Sequence, residues 1–318
     1  MNQPILSLNR VSRTFAVRGG LLGIASGEVR AVDDVSLDVA KGETLGLVGE
    51  SGCGKTTLGR IMVRLIAPSA GEVLLDGRPA AEAAPGRLQM IFQDPFSSLN
   101  PRLSVGYSVA EPLRAKGADK DECRARTREI LELVGLDPDY GRRFPHEFSG
   151  GQRQRIAIAR ALITHPDLIV CDEAVSALDA SIQAQILNLL DDIRDRFGLT
   201  YVFVSHDLDV VGHMSDRVAV MYLGQIVELA PRDMLFERPE HPYTKGLLAA
   251  APSRDPSRRG TRELLTGELP SPLNPPNGCT FHPRCPQATE ICRRIAPRSL
   301  HTAPGHLVRC HVYDNASR

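Results

Sequence analysis

Residues 44–57 read Thr-Leu-Gly-Leu-Val-Gly-Glu-Ser-Gly-Cys-Gly-Lys-Thr-Thr. The first five form a nearly continuous apolar run, as a strand buried on both faces should. Gly49, Glu50, Ser51, Gly52, Cys53, Gly54, Lys55 and Thr56 then satisfy the spacing G-x-x-x-x-G-K-[ST] in full. Glycines let the backbone turn tightly enough for successive N–H groups to face phosphate oxygens. Lys55 is placed to reach the β/γ-phosphates and the Thr56 hydroxyl to ligate Mg²⁺. Beyond Thr57, Leu58, Ile61, Met62, Leu65 and Ile66 recur at helical spacing, and Pro68 is expected to stop that helix. Strand, glycine loop and helix in this order predict a P-loop nucleotide site.

The surrounding pattern agrees. Val35, Leu37 and Val39 alternate with Ser36 and Asp38, the mark of a half-buried strand. Further apolar strands are expected at Leu88–Phe92, Leu168–Cys171 and Tyr201–Val204. Between the last two, Ile182, Ile186, Leu189, Leu190, Ile193 and Phe197 share one helical face, and Gly198 follows as a helix stop. Strands alternating with helices predict an α/β fold. Residues 94–150 carry no strand signal, hold an amphipathic helix near 120–134, and read as an inserted helical lobe.

Composition bounds the possibilities. The chain has 318 residues, 42% of them hydrophobic, which suits about two domains or one large one. Charge is balanced at 38 Lys+Arg against 38 Asp+Glu, so there is no excess of cations to neutralise nucleic-acid phosphates, and no nucleic-acid partner is expected. No apolar run approaches membrane-spanning length. The N-terminal stretch MNQPILSLNR lacks a basic segment followed by an apolar one, so no signal peptide is expected and the reading is cytoplasmic.

Chemistry clusters further along. Leu168-Ile-Val-Cys-Asp172-Glu173 is an apolar strand ending in two carboxylates, at the strand end where α/β ligands bind. Asp172 is expected to hold Mg²⁺ and Glu173 to polarise the attacking water. Phe148-Ser149-Gly150-Gly151-Gln152-Arg153-Gln154-Arg155 leads into the apolar helix IAIARAL, so a hydroxyl and free N–H groups would meet an anion at a helix start.

With this stretch the sequence resembles the nucleotide-binding subunits of ABC transporters, whose signature motif appears here as Phe-Ser-Gly-Gly-Gln. The resemblance implies a P-loop NTPase fold: a RecA-like core with an antiparallel β subdomain, an inserted helical subdomain and, here, a small cysteine-rich extension. It implies that Gln93, in IFQDPFSSLNPR, is the Q-loop glutamine contacting Mg²⁺ and the transmembrane subunits. Ser176-Ala-Leu-Asp179 matches the D-loop, and His206 in VSHDLDV the switch histidine. Phe15 matches the A-loop aromatic that stacks on adenine. Ala174 departs from the proline usual after Asp-Glu.

The resemblance narrows to the oligopeptide/dipeptide importers through DPFSSLNPR at 94–102, SIQAQILNLL at 181–190, HPYTKGLLAA at 241–250 and GELPSPLNPPNGCTFHPRCP at 267–286. It implies an ABC domain over residues 1–250 and a proline-rich, cysteine-bearing region over 251–318. Two such domains would close head to tail, each ATP lying between the P-loop of one and Ser149–Gln152 of the other. The implied partners are a second ATPase subunit, with a heterodimer favoured, two transmembrane permease subunits and an extracellular or periplasmic substrate-binding protein. The chain would sit peripherally at the cytoplasmic face of the membrane. A nickel or other small-solute importer, and a soluble metal-sensing ATPase, are the alternatives.

Four of the seven cysteines crowd the end of the chain: Cys279, Cys285, Cys292 and Cys310, spaced C-x5-C-x6-C-x17-C. Structural zinc sites usually show close pairs two to four residues apart, absent here. Four thiolates suit a [4Fe–4S] cluster, and the resemblance to cysteine-rich ends of peptide-importer ATPases points the same way. Zinc, with His282, His306 or His311 replacing a cysteine, is the alternative, followed by free thiols or a disulfide.

Overall fold

A computed structural model of the chain describes residues 3–19, 24–94, 99–250 and 267–314. Residues 95–98 of the DPFSSLNPR stretch and 251–266 of the proline-rich segment lie outside the described residues.

The apolar run at 44–48 becomes the centre of the larger sheet. Strand β3 (Thr44–Val48) is buried at every position. It pairs in parallel with β8 (Thr200–Val204) on one side and β9 (Arg217–Tyr222) on the other. Strands β7 (Leu168–Asp172) and β6 (Leu88–Ile91) continue the parallel sheet beyond β8. Strand β10 (Gln225–Pro231) adds antiparallel to β9. Two short tail strands, β11 (Leu300–Ala303) and β12 (His306–Val308), close the order β11-β12-β10-β9-β3-β8-β7-β6. Every residue of β3, β7 and β8 is buried, as a sheet covered on both faces requires.

The second sheet is antiparallel, with β2 (Ile24–Ala40) beside β1 (Pro4–Gly19), then β4 (Ala70–Leu75) and β5 (Arg78–Pro79). Val35, Leu37 and Val39 point into its core while Ser36 and Asp38 face out. The fold is therefore α/β with an antiparallel subdomain, as the sequence implied.

The helix after the glycine loop is shorter than its periodicity suggested. It spans Lys55–Met62, and Leu65 is 56% exposed. Arg64 adopts φ 66°, the Arg64 N–H bonds the Ile61 carbonyl at 3.0 Å, and the Leu65 N–H bonds the Arg60 carbonyl at 2.8 Å. This left-handed Schellman stop ends the helix before Pro68 acts. Helix Ala180–Phe197 ends as expected, with Gly198 at φ 63°, although Phe197 is turned to solvent at 44% exposure.

Between β6 and β7 lie helices Val105–Ala115, Lys120–Leu133 and Gly150–Leu162. Ser104 and Asp119 cap the first two by accepting backbone N–H bonds. Val105, Val109, Leu131, Val134 and Phe148 join one apolar cluster with Ile156 and Ile158. The lobe thus shares a core with the sheet.

The tail is fastened to β10. Val308 lies opposite Glu228, and Leu307 opposite Leu229. His306 Nε2 meets the fully buried Glu228 carboxylate at 2.8 Å, and the same carboxylate accepts the N–H groups of Glu240 and His241. Replacing His306 by Ala removes the side-chain partner of a carboxyl group that has no access to water. We expect His306→Ala to lower the unfolding free energy by about 3 kcal/mol in denaturant titration. A change below about 0.5 kcal/mol, the size of an ordinary surface substitution, would show that this pair does not hold the tail.

Candidate functional site

The phosphate-type loop is built on glycines that no other residue replaces. Gly49 and Gly54 adopt φ 153° and 110°; a Cβ on them would come within 2.2 Å of the Met221 carbonyl oxygen and 2.0 Å of the Ala31 carbonyl oxygen. Lys55 is 5% exposed, and its ammonium donates to the carbonyls of Gly49 (2.7 Å) and Glu50 (3.0 Å). Cys53 is buried against it, and burial pushes its thiol pKa up. Ser51–Thr57, Val29–Ala31, Leu223, Gly224, Gln93, Glu173 and Pro272 line one cleft of about 290 Å³.

From the end of β7, Glu173 lines that cleft and Asp172 lies buried behind Thr56. Thr56 Oγ1 donates to Asp172 Oδ1 at 3.0 Å. Burial raises the Asp172 pKa, partly offset by the Thr56 hydrogen bond. Glu173 adopts φ 49°, a strained conformation for a residue with a side chain, while its N–H bonds the Val204 carbonyl at 2.9 Å. Its carboxylate is shared: Gln93 Nε2 donates to Oε2 at 2.9 Å, and His206 Nδ1 lies 3.2 Å from Oε1. Gln93, Glu173 and His206, far apart in sequence, therefore meet on one carboxylate. Ala174 is buried in the neighbouring core.

Ser149 caps helix Gly150–Leu162 in a reciprocal box: Gln152 N–H donates to Ser149 Oγ at 3.4 Å, and Ser149 N–H to Gln152 Oε1 at 3.0 Å. Phe148 anchors this start in the lobe core, edge-on to Tyr140 at 5.5 Å. Ser149 itself is exposed, and none of Ser149, Gly150, Gly151 and Gln152 lines the cleft of its own chain. Asp179 caps helix Ala180–Phe197; hydrogen bonds from the Ser181 hydroxyl and the Ile182 N–H hold its carboxyl below the usual range.

Phe15 pairs in register with Val29, which lines the cleft, but the Arg13 guanidinium lies 4.7 Å from its ring centre. Phe15 itself is not among the lining residues.

Cys279 and Cys285 flank the turn at His282–Arg284, Cys292 lies in helix Glu290–Arg294, and Cys310 precedes the turn His311–Tyr313. Cys279 N–H donates to the Cys292 carbonyl at 2.8 Å. Burial, opposed by the Phe281 N–H and helped by Cys292, Cys310 and Cys285, pushes the Cys279 thiol up to about 11. Burial raises Cys285 and Cys310 as well, with Cys292 adding to both. The N–H groups of Phe281, Gln287 and Val312 point at the sulfurs of Cys279, Cys285 and Cys310, each two residues back. No disulfide joins any of the seven cysteines. Among the described residues no three His, Cys, Asp or Glu side chains converge closely enough to hold a single metal ion. The candidate histidines are engaged elsewhere: His282 with the Cys279 carbonyl, His306 with Glu228, and His311 with Asp314 and the Ile295 carbonyl.

Sequence reading missed three neighbours of the loop. The Tyr243 hydroxyl accepts the Glu50 N–H at 2.8 Å, Arg284 grips the Glu50 carboxylate, and Pro272 walls the cleft. Tyr243 lies in HPYTKGLLAA and Arg284 in HPRCP. Nothing local in either stretch signals contact with residue 50.

Residues 32–176 match the family described as ABC transporter, and residues 227–292 the oligopeptide/dipeptide transporter C-terminal region. The chain is 49% identical over 323 residues to the oligopeptide transport ATP-binding protein AppF of Bacillus subtilis, covering 98% of each. It is 50% identical over 325 residues to the "Probable peptide ABC transporter ATP-binding protein y4tS" of Sinorhizobium fredii, covering 98% of this chain and 91% of that one. In structure it resembles cbiO1 of Clostridium perfringens, part of the ABC transporter complex cbiONQ, with TM-score 0.63 and 25% identity over 74% of this chain and 92% of that one. It also resembles the dimeric post-hydrolysis state of the ATP-binding cassette MJ0796 bound to ADP and Pi, with TM-score 0.62 and 28% identity over 71% of this chain and 98% of that one.

The two helix starts are locked together sterically. A Cβ on Gly151 would come within 2.5 Å of Ile182 Cγ2, and a β-branched side chain has little rotamer freedom to retreat. We expect Gly151→Ala to cost about 1–3 kcal/mol of stability and to be relieved by Ile182→Ala in the same chain. Additive losses in the double variant, measured by thermal unfolding, would refute the contact.

Proposed function

The chain belongs to the ATP-binding proteins of oligopeptide/dipeptide ABC transporters, and from that premise we propose that it binds and hydrolyses ATP to drive import of di- or oligopeptides. The observation that carries the reading is the Glu173 carboxylate. It is held between Gln93 and His206 at the rim of a glycine loop that presents Lys55 and Thr56.

Phosphoryl transfer asks the protein mainly for positioning and charge neutralisation. Lys55 would face the β/γ-phosphates, with the backbone of Gly49–Thr57 cradling them and Phe15 offering a ring to the base. Thr56, Asp172 and Gln93 would hold Mg²⁺, which when bound neutralises phosphate charge; the existing Thr56–Asp172 hydrogen bond places two of these oxygens side by side. Glu173 orients the attacking water, and His206 steadies that carboxylate. Ser149–Gln152 present their helix start away from the cleft of their own chain, which supports their acting on the ATP of a second chain, with Asp179 beside them. A heterodimer is favoured by the GELPSPLNPPNGC stretch.

On this reading residues 1–250 form the ABC domain, with 94–150 as its helical lobe, and 251–318 the extension. Among the described residues no helix is long and apolar enough to cross a membrane. The chain would sit at the cytoplasmic face of the membrane beneath two permease subunits served by a substrate-binding protein.

We further infer that Cys279, Cys285, Cys292 and Cys310 hold a [4Fe–4S] cluster. The thiols lie near enough to raise one another's pKa, and N–H groups on three of the sulfurs would offset thiolate charge, which supports it. When bound, the cluster supplies a cross-link in a tail with few large apolar residues.

Three outcomes are expected. Glu173→Gln should lower turnover by about 10²–10⁴-fold, the usual worth of a positioned acid–base group, while ATP still binds; near-normal hydrolysis would sink the role given to Glu173. Ser149→Arg should abolish hydrolysis yet leave nucleotide binding by the separate chain intact; a strictly monomeric preparation turning over at the full complex's rate would refute the shared site. Anaerobically purified protein should be brown and carry about four irons and four sulfides per chain; a colourless preparation with one zinc would replace the cluster by zinc.

A further inference from the structure

The cysteine-bearing extension reaches the phosphate loop. Arg284 Nη1 donates to Glu50 Oε2 at 2.7 Å, and Nη2 to Glu50 Oε1 at 2.9 Å. This is a two-pronged guanidinium–carboxylate pair, the geometry that only arginine supplies. The Arg284 side chain is 6% exposed. It projects from a rigid aromatic knot in which Phe281 of the extension packs on Tyr222 and Tyr243 of the core at 5.2 and 5.5 Å between ring centres. The Tyr243 hydroxyl in turn accepts the Glu50 N–H.

Glu50 is thereby fixed at its side chain and at its N–H, both by groups outside the loop. Its third polar group, the carbonyl, is one of the two backbone oxygens that hold the Lys55 ammonium. We propose that Arg284 is a positioning residue for the nucleotide site. Through Glu50 it sets where Lys55 points, and it neutralises a carboxylate that would otherwise stand uncompensated in a loop built for a polyanion. The extension also lends Pro272 to the cleft wall, and Leu273 packs near Gly27 of β2. This proposal rests on the reading of the loop as an ATP site. Arg284 also directly precedes Cys285, so whatever the four cysteines hold is one residue from this clamp.

An anchor that merely tied down the tail would affect stability and leave nucleotide affinity alone. The test is equilibrium binding of Mg-ATP to the full chain carrying Arg284→Met, Glu50→Gln or both, with unfolding midpoints in parallel. Arg284→Met leaves a bare carboxylate and should weaken ATP about tenfold, the scale of a charge-assisted pair. Glu50→Gln should cost less. The double variant should bind no worse than Arg284→Met, because both act through one contact. In turnover the loss should appear in KM for ATP with kcat held. If Arg284→Met does not fold, Arg284→Lys keeps the charge without the fork and should show a smaller loss of the same kind. Unchanged ATP affinity in the Arg284 variants, or losses that add in the double variant, would overturn the proposal. If instead the unmodified chain binds ATP no better than Lys55→Ala, it is the ATP site itself that fails.

Discussion

Everything at the site hangs on the parallel register of β3, β7 and β8. Leu47 lies level with Val204, and Val204 level with Asp172. The residues that leave these strands next, Gly49 with its loop, Glu173 with its carboxylate and Ser205–His206, therefore emerge along one edge. Parallel pairing on both sides of β3 fixes that register. The strained φ of Glu173 is held against that register by its N–H bond to the Val204 carbonyl. The fully buried strands supply the stability against which such local strain is carried.

The helical lobe answers a different demand. Its helix start at Ser149 is exposed, and exposed helix ends are weak points unless capped. The reciprocal Ser149–Gln152 box meets two backbone N–H groups internally, and Phe148 fixes the approach from beneath. The steric fit of Gly151 against Ile182 ties this start to the helix that Asp179 caps. A displacement at one start is therefore felt at the other.

The extension does more than trail from the core. Its strands lengthen the main sheet, its His306 satisfies a carboxylate buried in β10, and its Arg284 reaches into the phosphate loop. Few large apolar side chains hold it; Ile291, Ile295 and Val312 are all exposed. Polar pairs take over part of the task that a larger domain gives to its hydrophobic core.

Periodicity and spacing alone specified the buried strand at 44–48, the glycine loop, the helix with Gly198 as its stop, and the carboxylates at the end of β7. These are local properties: two-fold and 3.6-fold repeats and backbone conformations that few residues tolerate. Helix 55–62 stopped early because a left-handed Arg64 ended it, a conformation for which arginine gives no sequence signal. Strands β11 and β12, four and three residues long, are too short to show a period and exist because β10 offers them an edge. The convergence of Gln93 and His206 on Glu173 follows from strand order, which resemblance implied and no single stretch encodes. The bridge between Glu50 and Arg284 spans 234 positions. No local pattern announces it, because a charged pair depends on where two chain segments finish in space, and only the assembled sheet with its aromatic knot brings them together.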